Sequence, residues 1–221
     1  MSAHVVITGA NRGIGLSFCQ HYLAKGYEVT AVVREASEQL QALAVNVIEG
    51  VDVSVAQDIA LLVQQLSGRK IDILINNAGI FHNETLTDTD FDGIEKQLAV
   101  NSLGPIRVTA ALQNNLGQGA KVAMITSRMG SIADNTSGGY IGYRMSKAAL
   151  NAASVSLAHE LKPRGIAVAI LHPGFVQTQM VGFAGDISPQ EAASRLISRI
   201  DELTLDNTGT FWHSNGEILP W

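Results

Sequence analysis

The fold of this 221-residue chain is decided by the stretch Val5-Val6-Ile7-Thr8-Gly9-Ala10-Asn11-Arg12-Gly13-Ile14-Gly15, in which a short apolar run meets three glycines. The apolar run predicts a strand, and the segment after it has the period of an amphipathic helix. Gly9 permits a tight turn off the strand, Gly13 leaves room for a diphosphate near the backbone, and Gly15 lets the helix pack against the sheet. The first amides of the helix and the positive end of its dipole would face the phosphates. A glycine turn between a strand and a helix therefore predicts a dinucleotide site.

Short apolar runs alternate with longer segments of helical period along the chain. We predict strands at residues 4–8, 28–33, 45–51, 71–75, 120–126 and 166–171, with an edge strand added by residues 209–221. We predict helices at residues 13–25, 54–66, 88 to about 116, 143–161 and from Ser188 onward. Strands that alternate with helices need right-handed crossovers and form a doubly wound sheet. The expected fold class is α/β: a single-domain Rossmann fold over residues 1–221, with a mostly parallel sheet of six to seven strands and helices on both faces.

Composition excludes several classes of protein. Hydrophobic residues make up 46% of the chain and charged residues 16%, which argues against disorder. The net charge is -5 and no block of Lys and Arg occurs, so nucleic acid is not an expected partner. No apolar stretch approaches the roughly 20 residues of a membrane span, and the scattered histidines predict no metal site. Cys19 is the one cysteine, which excludes an internal disulfide and fits a reducing, cytoplasmic location.

Tyr143 and Lys147 are four residues apart on a predicted helix, so their side chains lie on one face. A free tyrosine has a pKa of about 10, and a nearby ammonium lowers that pKa by favouring the phenolate. A general acid or base works best when its pKa is near the operating pH. The spacing therefore predicts an acid/base pair, although an isolated pair of this kind also fits a surface tyrosine and lysine.

Several motifs in chain order carry a family resemblance. They are Thr8-Gly9-x-x-x-Gly13-Ile14-Gly15, Asp52-Val53, Asn76-Asn77-Ala78-Gly79, Asn101, Tyr143-x-x-x-Lys147, and Pro173-Gly174 with Thr178. Together they resemble the short-chain dehydrogenase/reductase family along nearly the whole chain. Within that family, the motif Tyr-Arg-x-Ser-Lys at residues 143–147 and the stretch from Gly216 to Trp221 resemble the C-signalling-factor and sniffer-type carbonyl reductases.

The resemblance implies an NADP(H)-dependent oxidoreductase that reduces a ketone, aldehyde or quinone carbonyl to an alcohol. A hydride would pass from the nicotinamide to the carbonyl carbon while Tyr143 protonates the oxygen. Lys147 would also hold the nicotinamide ribose, and Asn101 would hold a water that feeds protons through Lys147. Members of the family are often dimeric or tetrameric, so a homodimer or homotetramer is expected. The cofactor-binding residues that the resemblance implies are Gly9, Asn11, Arg12, Gly13, Ile14, Gly15, Arg34, Asp52, Val53, Asn77, Ala78, Gly79, Tyr143, Lys147, Pro173, Gly174, Val176 and Thr178.

Ser127 and Ser131 are the two candidates for the serine that polarises the substrate oxygen in this family. Ser127 follows a predicted strand and stands three residues before Gly130, which matches the family pattern. Ser131 is closer to Tyr143 in sequence, and residues 134–139 resemble a small insertion that lengthens the spacing from Ser127. We therefore expect Ser127 to polarise the substrate, with Ser131 as the alternative.

Arg12 and Arg34 favour NADP(H) over NAD(H). An NAD-selective site usually ends its second strand with an acidic residue that binds the adenosine ribose, but here the strand ends Ala31-Val32-Val33-Arg34. Arg12 stands inside the glycine turn, and the planar fork of arginine suits phosphate oxygens. Both side chains are expected at the 2′-phosphate of NADP(H). The alternative for Arg34 is a solvated residue paired with Glu35 or Glu38.

Two segments and the activity itself each allow two interpretations. The loop over residues 173–187 either covers the active site or is a surface connection. Asn101 could kink its helix by competing for backbone hydrogen bonds instead of holding a water. The chain could also be a dinucleotide-binding signalling or regulatory protein with little turnover, since a fold does not fix a function. An apolar substrate pocket is expected from Phe81, Met129, Phe175, Met180 and Phe183.

Overall fold

Seven strands form one parallel sheet in the computed structural model, which describes residues 2–221. The strands are β1 (His4–Thr8), β2 (Glu28–Val32), β3 (Asn46–Ile48), β4 (Ile71–Asn76), β5 (Leu116–Ile125), β6 (Ala167–His172) and β7 (Phe211–His213). Their order is β3-β2-β1-β4-β5-β6-β7, and every neighbouring pair is parallel. The strand order reverses between β1 and β4, so their carboxyl ends border the crevice where such folds bind ligands. The predicted α/β class and the predicted edge strand are confirmed.

Helices connect the strands and cover both faces of the sheet. They are α1 (Gly13–Ala24), α2 (Glu38–Gln41), α3 (Ala56–Gln65), α4 (Phe91–Leu98), α5 (Gly104–Ala111), α6 (Ile141–Leu161) and α7 (Pro189–Asp201). The Ser188 hydroxyl accepts a hydrogen bond from the Glu191 backbone N–H, as expected of the cap before α7. Within residues 2–221, no helix is both long enough and apolar enough to cross a membrane.

The sheet separates two hydrophobic cores because neighbouring residues of a strand point to opposite faces. Val5 and Ile7 of β1 belong to one core, which α1 and α7 close. Val6, between them, belongs to the other core with Leu74 of β4 and Val122 of β5, and α3, α5 and α6 close this side. All five side chains are completely buried. Burial on both faces explains why the strands read as nearly continuous apolar runs.

The single long helix predicted from residue 88 to about 116 is wrong. α4 begins at Phe91, because the Asp90 carboxylate accepts a hydrogen bond from the Gly93 N–H and caps the helix there. A π-helical turn, Ala99–Leu103, then joins α4 to α5. Turns of this kind are rare and are frequent at functional sites.

The far end of that prediction also differs from the structure. α5 ends at Ala111, and β5 begins at Leu116, earlier than the predicted residue 120. Asn115 ends the connection between them by donating from Nδ2 to the carbonyl oxygens of Leu66 and Arg69, at 2.7 Å each. These bonds to a neighbouring segment replace the helical continuation that periodicity alone predicts.

Two smaller differences concern short elements. β3 covers only Asn46–Ile48 of the predicted strand at residues 45–51. The sequence does not predict the four-residue helix α2, which has too few residues to show a period. Its start is stabilised by the Ser37 hydroxyl, which accepts a hydrogen bond from the Leu40 N–H.

Candidate active site

The glycine turn after β1 and residues 76–79 after β4 hold each other in place. Asn77 donates from Nδ2 to the carbonyl oxygens of Thr8, at 3.1 Å, and Gly9, at 3.0 Å. The Thr8 hydroxyl in turn accepts from the N–H groups of Asn77 and Ala78, at 3.1 Å each. Gly9 has a φ of 64°, and a Cβ on it would lie 2.7 Å from the Ala78 Cα. The turn and the second segment therefore form one unit that only glycine permits.

Gly13 and Gly15 allow two further close approaches. Gly13 has a φ of 54°, and a Cβ on it would lie 3.3 Å from the Thr178 Cγ2. A Cβ on Gly15 would overlap the Gly9 carbonyl oxygen and lie 2.7 Å from the Asn77 Nδ2. Gly15 thus lets α1 come close to the glycine turn after β1 and to Asn77 after β4, while the buried side chains of α1 pack against the strands in one core.

The loop over residues 173–187 reaches the glycine turn. Thr178 lies against Gly13, and Arg12 donates from Nη1 to the Gln179 Oε1 at 2.6 Å. This position favours a loop that borders the site over a plain surface connection.

The predicted apolar pocket is brought together only in part. The Phe81 ring lies edge-on to the Tyr143 ring, with 4.9 Å between the ring centres. Phe175, Met180 and Phe183 of the loop are exposed, at 50%, 44% and 69%. Their place in a pocket stays a prediction.

Asp52 and Arg34 follow the neighbouring strands β3 and β2. The Arg34 Nη1 lies 3.9 Å from the Asp52 Oδ2, and the Asp52 Oδ1 accepts from the Ser54 N–H and hydroxyl. Burial raises the pKa of Asp52, but the Ser54 hydrogen bonds and Arg34 outweigh burial and hold it below its usual value. Within the described part of the chain, neither Glu35 nor Glu38 forms an ion pair with Arg34.

The arginines predicted to meet at one phosphate have different partners in this structure, since Arg12 binds Gln179 and Arg34 faces Asp52. Their convergence stays a prediction. The remaining predicted cofactor residues follow the carboxyl ends of β1, β3, β4 and β6, at one edge of the sheet. They are Asn11, Ile14, Val53, Gly79, Pro173, Gly174 and Val176.

Ser127, Tyr143 and Lys147 meet beside the carboxyl end of β5. Ser127 is buried two residues after that strand; its hydroxyl accepts a hydrogen bond from the Met129 N–H and is close enough to Tyr143 to lower the pKa of the phenol. The Lys147 Nζ lies 5.8 Å from the centre of the Tyr143 ring and donates to the Ile125 carbonyl oxygen at 3.0 Å. The structure therefore brings together the serine, tyrosine and lysine that the sequence singled out.

The pKa of Tyr143 differs from the prediction. Burial raises it to about 12, and the hydrogen bond with Ser127 lowers it by less. Burial also lowers the pKa of Lys147 to about 8, because the ammonium loses its hydration. The lowering that the neighbouring ammonium was predicted to produce does not appear, because burial dominates and the smaller opposing effect comes from Ser127 and not from Lys147.

Asn101 lies inside the π-helical turn and binds two other segments. Its Oδ1 accepts from the Ile80 N–H at 2.8 Å, and its Nδ2 donates to the Ile80 carbonyl and the Ser146 hydroxyl. The Ser146 hydroxyl then donates to the Tyr143 carbonyl oxygen. The helix is distorted at Asn101, which agrees with the predicted kink. The proposed cause of the kink does not hold, because the Asn101 side chain binds Ile80 and Ser146 and no backbone group of its own helix.

Ser131 lies in a different environment from Ser127. Its hydroxyl donates to the Trp221 main-chain oxygen at 3.0 Å and accepts from the Asp134 N–H at 3.1 Å. Arg128, between the two serines, forms ion pairs with Asp134 and Glu217. Ser131 thus helps to join the insertion at residues 134–139 to the carboxyl-terminal segment.

Sequence reasoning missed two features beside the site. Glu84 is a buried carboxylate that contacts the first turn of α6, and no local pattern marks it. His172 ends β6, with its ring edge-on to His213 and 4.9 Å between the ring centres. Burial lowers the pKa of His172 to about 3. A polar residue at the end of an apolar strand was the signal that could have found it.

The parallel sheet, the glycine turn at its switch point and the polar groups beside it define an oxidoreductase of the Rossmann type. The chain belongs to the short chain dehydrogenase family, whose sequence model matches residues 3–189.

The known proteins that are similar to the chain include two curated relatives and a carbonyl reductase of known structure. A 1-hydroxy-2-glutathionyl-2-methyl-3-butene dehydrogenase of Rhodococcus sp. (strain AD45) is 39% identical, over 98% of this chain and 99% of its own length. The C-signal of Myxococcus xanthus is 43% identical, over 68% of this chain and 93% of its own. The crystal structure of the NADPH-bound carbonyl reductase from chicken fatty liver superposes with a TM-score of 0.88, at 28% identity and over 100% of both chains. The predicted resemblance to the C-signalling-factor and carbonyl reductase group is confirmed.

Proposed function

We propose that this protein reduces a ketone, aldehyde or quinone carbonyl to an alcohol with NADP(H), using Tyr143 as the general acid and base. The observation that carries the proposal is the meeting of Ser127, Tyr143 and Lys147 beside the carboxyl end of β5, where the Ser127 hydroxyl lowers the pKa of Tyr143 and the Lys147 Nζ lies 5.8 Å from the centre of its ring. Two hydroxyls this close can both donate to one carbonyl oxygen, where charge develops as the alcohol forms.

The cofactor proposal is supported by the glycine turn and by Gly79. A Cβ on Gly79 would lie 3.3 Å from the Asn101 Oδ1 and 3.8 Å from the Lys147 Nζ, so a larger residue would fill the space beside the lysine. The first turn of α1 carries no acidic residue, which suits phosphates at its N–H groups. β2 is not followed by an acid that would select NAD(H), and the carbonyl reductase from chicken liver binds NADPH. When bound, the dihydronicotinamide supplies the hydride.

The chain's own groups handle the proton. With a pKa of about 12, Tyr143 holds its proton at neutral pH and gives it to the carbonyl oxygen as the alcohol forms. The Lys147 ammonium lies beside the ring, where it favours the phenolate that remains. Lys147 would also donate to the nicotinamide ribose. Through its hydrogen bonds to Ile80 and to Ser146, Asn101 would fix the position of α6 relative to the segment of Ile80. It would also hold the water that returns a proton to Tyr143 through Lys147.

The test is a screen of the purified protein for NADPH consumption with ketones, aldehydes and quinones. The reaction is monitored by the decrease in absorbance of the reduced nicotinamide. We expect turnover with at least one carbonyl class, and a kcat about 10²- to 10⁴-fold lower for Tyr143→Phe on the same substrate. Turnover that survives unchanged in Tyr143→Phe would overturn the role of Tyr143. Binding of NADPH without consumption of any carbonyl would overturn the reductase proposal.

The second candidate is a dinucleotide-binding signalling or regulatory protein with little turnover, which the similarity to a protein named C-signal favours. A protein that only binds the dinucleotide does not need an acid/base pair. Ser127, Tyr143 and Lys147 therefore favour the enzyme. The same screen separates the two candidates, since the signalling protein would bind NADPH and leave it unconsumed.

We also propose a homodimer or homotetramer. Ala149, Ala152 and Ser156 recur at helical spacing along α6 and are not buried, and small residues on one face permit close packing of helices. Light scattering of the purified protein would give the mass, and a monomer at assay concentration would contradict the proposal.

A further inference from the structure

Glu84 is a charged side chain in a buried place. Only 1% of the residue is exposed, and within residues 2–221 it forms no ion pair with a lysine, arginine or histidine. A buried carboxylate without a cation is costly unless its oxygens accept good hydrogen bonds. The groups that bind Glu84 therefore indicate what it stabilises.

Gln97 of α4 and Gly142 of α6 bind the two carboxylate oxygens. The Gln97 Nε2 donates to the Glu84 Oε1, and the Gly142 N–H donates to the Glu84 Oε2 at 3.2 Å. The Gln97 Oε1 accepts from the His82 N–H at 3.0 Å. Since a backbone N–H can only donate, the amide of Gln97 has one possible orientation, with its NH₂ group toward Glu84.

The Gly142 bond matters because α6 has no cap of its own. Tyr140, the residue before the helix, has a φ of 52° and makes no side-chain cap bond. Glu84 supplies that cap from another segment, and a negative group at a helix N-terminus is favourable. The approach is close, since a Cβ on Gly142 would lie 2.7 Å from the Ile94 Cγ1 and 2.8 Å from the Gln97 Nε2.

The segment that carries Glu84 also carries the ring that contacts Tyr143. Asn101 binds both main-chain groups of Ile80, and Gln97 binds the His82 N–H. Phe81 lies between these two fixed points, and its ring meets the Tyr143 ring at 78° with 4.9 Å between centres. Edge-to-face rings at this distance attract each other. Tyr143 is thus held both through the first turn of α6 and through Phe81.

We propose that Glu84 and Gln97 are positioning residues for Tyr143. Glu84 fixes the first turn of α6, and together with Gln97 it fixes the segment that presses Phe81 against the tyrosine ring. The inference rests on the proposed role of Tyr143 as general acid. It adds two residues that touch neither substrate nor cofactor.

The test exchanges the two side chains. Glu84→Gln alone leaves one NH₂ group facing a donor, either the Gln97 NH₂ or the Gly142 N–H. Gln97→Glu alone sets two carboxylates against each other. The double variant Glu84→Gln/Gln97→Glu keeps every bond. Its amide at position 84 would donate to the new carboxylate at position 97 and accept from the Gly142 N–H, while that carboxylate would accept from the His82 N–H.

We expect each single variant to lower kcat about tenfold or more with KM little changed, since small misplacements of a catalytic group cost this much. The double variant should recover most of the lost kcat. Glu95→Gln, on the exposed face of α4, is the control and should match wild type.

A second readout does not depend on turnover. The ring resonances of ¹³C-labelled tyrosine, with Tyr143 assigned from Tyr143→Phe, report the ring current of Phe81. We expect a shift in each single variant and its return in the double variant. Should a single variant fail to fold, Phe81→Leu leaves Glu84 and Gln97 in place, removes the ring contacts with Tyr143 and Tyr140, and should still lower kcat.

The outcomes separate the two proposals. Wild-type kcat in both folded single variants, or a double variant no better than the worse single variant, would overturn the positioning role. If the wild type consumes no substrate, the proposed function fails, and the tyrosine resonance then decides the positioning by itself.

Discussion

The Nζ of Lys147 lies 5.8 Å from the centre of the Tyr143 ring and is fixed there by a 3.0 Å hydrogen bond to the Ile125 carbonyl oxygen. One turn of α6 separates the two residues, and the end of β5 supplies the anchor. The ammonium therefore lies beside the tyrosine ring, while the Ser127 hydroxyl is the neighbour that lowers the pKa of the phenol. The two neighbours of Tyr143 therefore have different proposed roles. Ser127 orients the tyrosine hydroxyl, and the positive charge of Lys147 favours the phenolate.

Tyr143→Phe removes one hydroxyl and little volume, so the fold should persist while the proton donor is lost. We expect kcat on a good carbonyl substrate to fall by about 10²- to 10⁴-fold, with an unfolding midpoint close to that of wild type. Steady-state kinetics and thermal unfolding measure the two quantities. Tyr27→Phe, which removes a hydroxyl at the start of β2, is the matched control and should keep wild-type kcat.

Ser127→Ala and Ser131→Ala should affect different properties. Ser127→Ala removes the hydroxyl beside Tyr143, so kcat should fall strongly. It also removes the one bond that this hydroxyl accepts from the Met129 N–H, so the free energy of unfolding should fall by about 0.5 to 1.5 kcal/mol. Ser131→Ala removes the bonds to Trp221 and Asp134, each worth about 0.5 to 1.5 kcal/mol, so the free energy of unfolding should fall while kcat stays near wild type. Kinetics and urea unfolding of both variants decide the matter, and the reverse ranking in kcat would transfer the catalytic role to Ser131.

The sheet and the meeting of the catalytic candidates could be predicted from the sequence for a physical reason. Parallel strands joined by right-handed crossovers bring all their carboxyl ends to one edge. Ser127, Asn77 and Gly9 each follow such an end, so their proximity needs no knowledge of packing. Tyr143 and Lys147 share a helix face by spacing alone. The prediction that residues 1–221 form one domain stays a prediction.

Features that depend on contacts between distant segments could not be predicted. The position of the connection between α5 and β5 is fixed by Asn115, which binds two carbonyl groups of the segment before β4. The raised pKa of Tyr143 follows from burial, which spacing along a helix does not reveal. The roles of Glu84 and Gln97 arise only where three segments meet.

His172 should make the protein sensitive to acid. Burial lowers its pKa to about 3 from 6.5, with smaller effects from the charges of His213, Arg128 and Lys147. Between these values the unfolded state binds a proton that the folded state does not, so the free energy of unfolding decreases as pH falls through this range. His172→Phe should reduce this slope by up to about 1.4 kcal/mol per pH unit.

The measurement is urea unfolding of both proteins between about pH 5 and pH 6.5, above the usual carboxyl range. The His172 Nδ1 is buried and has no hydrogen-bond partner in the described part of the chain, so phenylalanine gives up no bond there. His159→Gln, at an exposed position of α6, is the control and should keep the wild-type slope. Equal slopes for wild type and His172→Phe would contradict the neutral, buried histidine.

Cofactor preference should depend on Arg34. Its side chain is 70% exposed and 3.9 Å from the Asp52 carboxylate, so it is free to turn toward a phosphate without breaking a buried bond. Charge-assisted hydrogen bonds contribute about 1.5 to 3 kcal/mol each, so Arg34→Asp should weaken NADPH binding about tenfold or more. NADH, which lacks the 2′-phosphate, should bind almost as before. Lys162→Asp, an equal change of charge beyond the end of α6, should leave both affinities unchanged. Titration of NADPH and NADH into wild type, Arg34→Asp and Lys162→Asp measures the preference. Equal affinities of the wild type for the two cofactors would refute the predicted preference for NADPH, and the role of Tyr143 would not be affected.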